Sequence, residues 1–233
     1  MTWKLCLLGA SLLVLAASLI PAAVYVLSDV PETRLTFVLD AGHGGEDGGA
    51  VGADGLLEAD VNLAVTLRTD ALLGLFGYPA VLTRDRAEID YPEAAVTTRQ
   101  RKRFDQQSRA ALVNATPGAV LVSIHQNQYP AAQPSGAQVF FGKASGSEAL
   151  GKTIQANLCA HCGTNRQATP ISEDIYLLRE AACPAVLIEC GFLSNPRELE
   201  LLRTEPYQTR LSVCIAAGCI GQAAELERCY GKG

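Results

Sequence analysis

Four residues of this chain have the types and the placement for metal-assisted hydrolysis: His43, Glu58, His125 and Glu189. Three of them follow short apolar runs. His43 stands just past Leu35–Leu39, His125 directly after Ala119–Ile124, and Glu189 directly after Pro184–Ile188. Glu58 opens a helical pattern on the far side of a glycine-rich loop that begins at Gly42. Two imidazoles and one carboxylate are a sufficient protein ligand set for a catalytic zinc ion, with one position left to water. The other carboxylate is then free to act as a base. Spacing alone does not say which glutamate takes which role. Each residue also has a plainer use: a histidine at a strand end can be structural, Glu58 can be a favourable first-turn charge, and Glu189 can pair with an arginine. A glutamate directly after an apolar strand nevertheless costs free energy unless it has a partner or a function. His161, the third histidine, lies in Cys159-Ala-His-Cys162 after a helix and reads as surface or local structure.

These residues need a scaffold that brings strand ends together. The apolar runs 35–39, 80–83, 119–124, 137–141, 175–178 and 184–188 read as strands, several without alternation. Between them, helical patterns run over 58–75, from Pro92 or Glu93 to Asn114, and from Ser147 to about Cys159, with closing helices over 196–203 and 207–227. Apolar strands alternating with helices predict an α/β fold, a single domain with a mostly parallel twisted sheet covered by helices on both faces. In such sheets ligands bind at the carboxyl ends of the strands, which is where His43, His125 and Glu189 fall. A dinucleotide-binding reading of the glycine loop fails. Asp47 occupies the third glycine position of G-x-G-x-x-G, and Glu46 and Asp47 would repel a pyrophosphate.

Composition bounds the rest. At 48% hydrophobic and 18% charged residues the chain is globular. Its net charge of −5 and lack of a long basic block argue against nucleic acid. The densest basic cluster, Arg99–Arg103, reads as a solvated helix face. Residues 1–28 carry Lys4 followed by an uncharged apolar run from Leu5 to Leu27, long enough to span a bilayer. We read it as an N-terminal anchor helix in preference to a cleaved signal peptide. It precedes a linker over 29–34 and a catalytic domain over 35–230, and it places that domain outside the cytoplasm. Of the eight cysteines, Cys6 lies in the anchor. The other seven read as small buried hydrophobes with one or two disulfides, since a single CxxC is too little for a redox or zinc site.

Several motifs carry a family resemblance. Leu39-Asp-Ala-Gly-His-Gly-Gly-Glu-Asp-Gly-Gly-Ala-Val-Gly52, Glu58-Ala-Asp-Val-Asn-Leu-Ala64, Leu82-Thr-Arg-Asp85, Arg109 to Asn114, Val122-Ser-Ile-His-Gln-Asn-Gln128 and Val186-Leu-Ile-Glu-Cys-Gly-Phe-Leu-Ser-Asn195 together resemble the zinc-dependent N-acetylmuramoyl-L-alanine amidases of the amidase-3 family. The Ile124–Gln128 form and the apolar N-terminus are most similar to the CwlD-type, spore-cortex branch of that family. The resemblance implies that His43, Glu58 and His125 bind one Zn2+ and that Glu189 is the catalytic carboxylate. It implies as substrate the amide between the lactyl group of N-acetylmuramic acid and L-alanine in peptidoglycan. Asp40, Asp47 and Asn127 are candidates to orient the imidazoles. Asn127 and Arg179 are candidates to touch substrate; Asp40 and Asn127 have a turn role as their alternative, and Arg179 a surface ion pair. Ala41 and Gln126 depart from the common pattern of proline and a small residue, which bears on loop shape. No insertion of the site-blocking kind is visible, so control by a protein activator or by timing is expected. A zinc peptidase acting on stem peptides and a non-catalytic wall-binding module are the competing classes.

Overall fold

The computed structural model describes residues 35–172 and 175–230. The expected anchor over 1–28 and the linker over 29–34 lie outside them. Among the described residues no helix is long and apolar enough to cross a membrane.

Six strands form one sheet in the order β2-β1-β3-β6-β4-β5. They are β1 (Thr36–Ala41), β2 (Ala80–Leu82), β3 (Ala119–Asn127), β4 (Gln138–Phe141), β5 (Thr169–Pro170) and β6 (Ala185–Phe192). The pairings β1–β2, β1–β3 and β3–β6 are parallel; β4 meets β6 antiparallel and carries β5 parallel to itself. The helices are α1 (Glu58–Leu75), α2 (Thr98–Ala115), α3 (Ser147–Cys162), α4 (Tyr176–Glu180), α5 (Pro196–Leu202) and α6 (Glu205–Tyr230).

The pleat sorts the strand residues onto two faces. Phe37, Leu39, Val122, Ile124, Val186 and Ile188 join Val65 of α1, Ile154 of α3 and Leu211 and Ile215 of α6 in the larger core. Val38, Leu121 and Leu187 point the other way, onto Ala110 and Val113 of α2 and Leu177 and Leu178 of α4. Helices thus cover both faces, as the unalternating apolar strands required.

The structure corrects four local readings. Residues 175–178 are not a strand: Tyr176–Glu180 is the short helix α4. A four-residue apolar run is ambiguous by periodicity alone. Here Leu177 and Leu178 fill the smaller core, and the Asn114 side chain pins the end, donating to Glu180 O (2.9 Å) and accepting from Ala182 N (2.9 Å). The helix expected from Pro92 starts at Thr98, because Thr97 and Gln100 form a reciprocal capping box there. Ser147 does not cap α3; Gly146, at φ 91°, is the N-cap, and the Ser147 hydroxyl accepts from Ala185 N at 3.0 Å. Finally, β3 and β6 run past His125 and Glu189. Both residues lie inside strands, paired in register, just before a bulge between His125 and Asn127.

Candidate metal centre

The site begins where β1 ends. Gly42 N donates to Ile124 O (3.0 Å), carrying the chain one step past Ala41. His43 then turns to φ 60°, the one non-glycine residue with positive φ among the described residues, a conformation that persists only where its surroundings fix it. Two arginines do so. Arg109 donates to Ala41 O (2.6 Å) and His43 O (2.7 Å), and Arg84 donates to Ala41 O (2.9 Å), Gly42 O (3.2 Å) and Ala59 O (2.7 Å). A guanidinium suits this task because its donors are held in a rigid fork. Arg109 is held in turn by Asp40 (2.7 Å) and Asp105 (2.8 Å). Burial alone would raise the Asp40 carboxyl, but Arg109, His125 and the Ser123 hydroxyl (2.6 Å) hold it down at about 2.

Three donor groups meet beyond this turn. Glu58, buried in the first turn of α1, accepts from Ala50 N at Oε2 (2.8 Å) and from Gln126 N at Oε1 (3.0 Å). Its Oε1 also lies 3.0 Å from His125 Nδ1 and 3.4 Å from His43 Nε2. The two imidazole rings stand 5.1 Å apart, edge to face. One ligand atom from each of His43, Glu58 and His125 falls within 4.8 Å of the others. Neutral imidazole nitrogens and one carboxylate oxygen are the donors catalytic zinc takes, so the residues present fit the ion. The glycines leave room for them. A Cβ on Gly42 would stand 2.2 Å from His125 Cε1, and one on Gly49 would stand 2.6 Å from Glu58 Oε2 and 2.8 Å from His43 Cδ2. The loop therefore needs glycine for close approach to the donors.

The outer contacts orient the donors. His43 Nδ1 lies 3.0 Å from Asp47 Oδ2, which also accepts from Lys102 Nζ at 3.0 Å. With Nδ1 engaged, Nε2 faces inward. Burial disfavours the His43 cation, but Asp47 and Glu58 outweigh it and raise the imidazole to about 9. The basic cluster of α2 is largely exposed, as read, with Arg99, Lys102 and Arg103 on the solvent side; within it Arg101 pairs with Glu46 and Lys102 with Asp47, so these two grip the glycine loop.

Glu189 faces His125 across the β3–β6 pairing. Its Oε2 is enclosed and has no hydrogen-bond partner. Burial, with help from Glu58, pushes the carboxyl up to about 7 against the pull of the histidines. Glu189, His43 and His125 line one cleft, walled by Lys102 and Gln106 of α2 and by Tyr176 of α4. Lys102, Gln106 and Tyr176 are cleft residues that sequence reasoning missed; the basic cluster was a signal for Lys102, and Gln106 and Tyr176 carried none. Two of the other candidates, Asn127 and Arg179, do not line the cleft. Asn127 ends β3, where its carbonyl accepts from Leu193 N (2.9 Å). Arg179 lies within α4, paired with Glu180 (3.0 Å) over the Tyr176 ring. Asp40 lines the cleft but sits on Arg109, Ser123 and Thr83; the imidazole of His43 is held by Asp47.

A family model described as N-acetylmuramoyl-L-alanine amidase matches residues 37–220. The chain belongs to that family. This amidase is thus a hydrolase of the bond joining N-acetylmuramic acid to L-alanine in peptidoglycan, as the motifs implied. It is 40% identical over 193 residues to the germination-specific N-acetylmuramoyl-L-alanine amidase of Bacillus subtilis, a match covering 82% of this chain and 81% of that protein. Among solved structures it is similar to the CwlD amidase of Clostridioides difficile, determined in complex with the GerS lipoprotein, with a TM-score of 0.77, 38% identity and coverage of 82% and 98% of the two chains. A second N-acetylmuramoyl-L-alanine amidase, from Clostridium difficile 630, aligns with a TM-score of 0.71 and 28% identity over 82% of this amidase and 97% of that chain.

Proposed function

We propose that His43, Glu58 and His125 hold one zinc ion, that Glu189 moves the protons of the amide hydrolysis, and that the substrate is spore-cortex peptidoglycan. The observation that carries the mechanism is the enclosed, unpartnered Glu189 Oε2 beside a converged His-Glu-His donor set. Zinc bound there supplies Lewis acidity, which makes water a competent nucleophile near neutral pH and polarises the scissile carbonyl. Glu189 takes the proton of the attacking water and returns it to the leaving L-alanine amine. Its raised proton affinity suits both halves of that transfer. Asp47 holds the proton on His43 Nδ1 and keeps Nε2 turned inward. Lys102, Gln106 and Tyr176 form the wall against which the departing stem peptide lies.

The cortex assignment rests on the 40% identity to a germination-specific enzyme and on the Ile124–Gln128 motif. It puts the enzyme outside the cytoplasm, with the apolar segment 1–28 as its membrane tether. The GerS complex of the C. difficile amidase motivates the further proposal that a lipoprotein activates this one. The test is digestion of spore and vegetative peptidoglycan, with and without a chelator, read by mass spectrometry. An amidase releases intact stem peptides and leaves a free lactyl carboxyl, and chelator abolishes both products. Cleavage between amino acids of the stem would establish a peptidase instead, and equal digestion of both walls would remove the cortex preference.

A further inference from the structure

The Cys159-x-x-Cys162 motif plays no part in the cleft, and its two thiols part company at the end of α3. Cys159 Sγ donates to Arg166 O (3.4 Å) and accepts from Gln155 Nε2 (3.6 Å), both close in sequence. Cys162 turns towards α6, where its Sγ lies 3.8 Å from Cys214 Sγ, 52 residues away. At the same seam the surface opens into a depression lined by Asn157, His161, Arg210 and Cys214. We infer that Cys162 and Cys214 form a dithiol site that a small-molecule disulfide oxidises to a disulfide bond joining α3 to α6.

Three features of the seam support this. The sulfurs need to close from 3.8 Å to the ~2.05 Å of a disulfide, a shift within reach of side-chain rotation. The contact between the two sulfurs lets the pair hold one proton between them, and Arg210 favours the thiolate at both residues. Cys162 is half-buried and Cys214 buried, so an incoming disulfide reaches Cys162 first. The exchange balances. The Cys162 thiolate attacks the small disulfide, forming a mixed disulfide and expelling one thiolate. The Cys214 thiolate, its proton lost to solvent, then attacks Cys162 Sγ and expels the second. Two protein thiols are oxidised to one disulfide, and one small disulfide is reduced to two thiols. Three of the other described thiols do not compete. Cys183, Cys190 and Cys219 are buried, and burial raises all three. Cys229 is exposed.

The test treats the full chain carrying Cys6→Ser and Cys229→Ser with oxidised glutathione, followed by intact-mass measurement and non-reducing peptide mapping. The expected product has lost two hydrogens and yields a cross-linked peptide pair containing Cys162 and Cys214. Closing so long a loop raises Tm by roughly 5 °C or more. Adding Cys159→Ser leaves the cross-link intact. Adding Cys214→Ser leaves a glutathione adduct trapped on Cys162, a result that also reports a folded, reactive seam. A Cys159–Cys162 cross-link, or no change in mass under conditions that oxidise Cys229 in the parent chain, overturns the assignment.

Discussion

A carboxylate set opposite an imidazole in a buried parallel strand gains nothing from packing, and one with an oxygen enclosed and unpartnered forfeits hydrogen bonds that water would give it. Glu189 accepts both conditions, which packing does not explain and the proposed proton transfer does. It also stands apart from the His43–Glu58–His125 donor group. Glu189→Gln keeps the side-chain volume and removes the proton acceptor. Turnover of muropeptide should fall by roughly 10²–10⁴-fold, while bound zinc, measured by elemental analysis, stays at the parent level. Loss of zinc from this variant would make Glu189 a ligand and reverse the two glutamate roles. These residues were legible in the sequence because histidines and glutamates beside apolar strands are expensive and conspicuous. Their supports were not. Arg109 meets Asp40 across 69 positions of chain, and Lys102 meets Asp47 across a loop; no local pattern announces either pair.

At the scale of elements, the continuous apolar runs disclosed the strands and hence the rim on which the donors meet. Their lengths were less legible, because the polar residues that ended the apolar runs, His125 and Glu189, stay in the ladder and point into the cleft. The run 175–178 was misread because its leucines serve a helix packed on the sheet, and only tertiary contact decides between strand and helix at that length. The glycine loop was recognised as special, but the reason is now steric. Gly42→Ala would place a methyl 2.2 Å from the His125 ring, and the ring, as the free end of its side chain, is what must yield. We expect zinc content and activity to fall together, by an order of magnitude or more, with the far-ultraviolet circular dichroism unchanged. Gly74→Ala is the matched control. It adds the same methyl to a helix where nothing lies within 4 Å, so it should stabilise the protein by about 0.5–1 kcal/mol and leave metal and turnover alone. Equal behaviour of the two variants would remove the steric argument.

At the scale of the whole molecule, one buried carboxylate ties the sheet to its cover. Asp40 of β1 accepts from Ser123 of β3, from Thr83 just past β2 and from Arg109 of α2. Its carboxyl is lowered from 3.8 to about 2, the pull of Arg109, His125 and Ser123 outweighing burial. A group whose folded pKa is depressed stabilises the native state above its unfolded pKa, and that stabilisation is lost as pH falls through the folded value. The Asp40 contribution is therefore fully present above about pH 4–5, near and above the ordinary carboxyl value, and disappears towards pH 2. The shift corresponds to about 2 kcal/mol. Asp40→Asn should be less stable at neutral pH, because Arg109 loses its buried partner. Its unfolding free energy in urea should also decline less steeply than that of the parent between about pH 4 and pH 2, by about that same 2 kcal/mol. If the two curves instead run parallel through that window, Asp40 titrates alike in the folded and unfolded chain, and the acid sensitivity of the fold must come from the other carboxylates around the site.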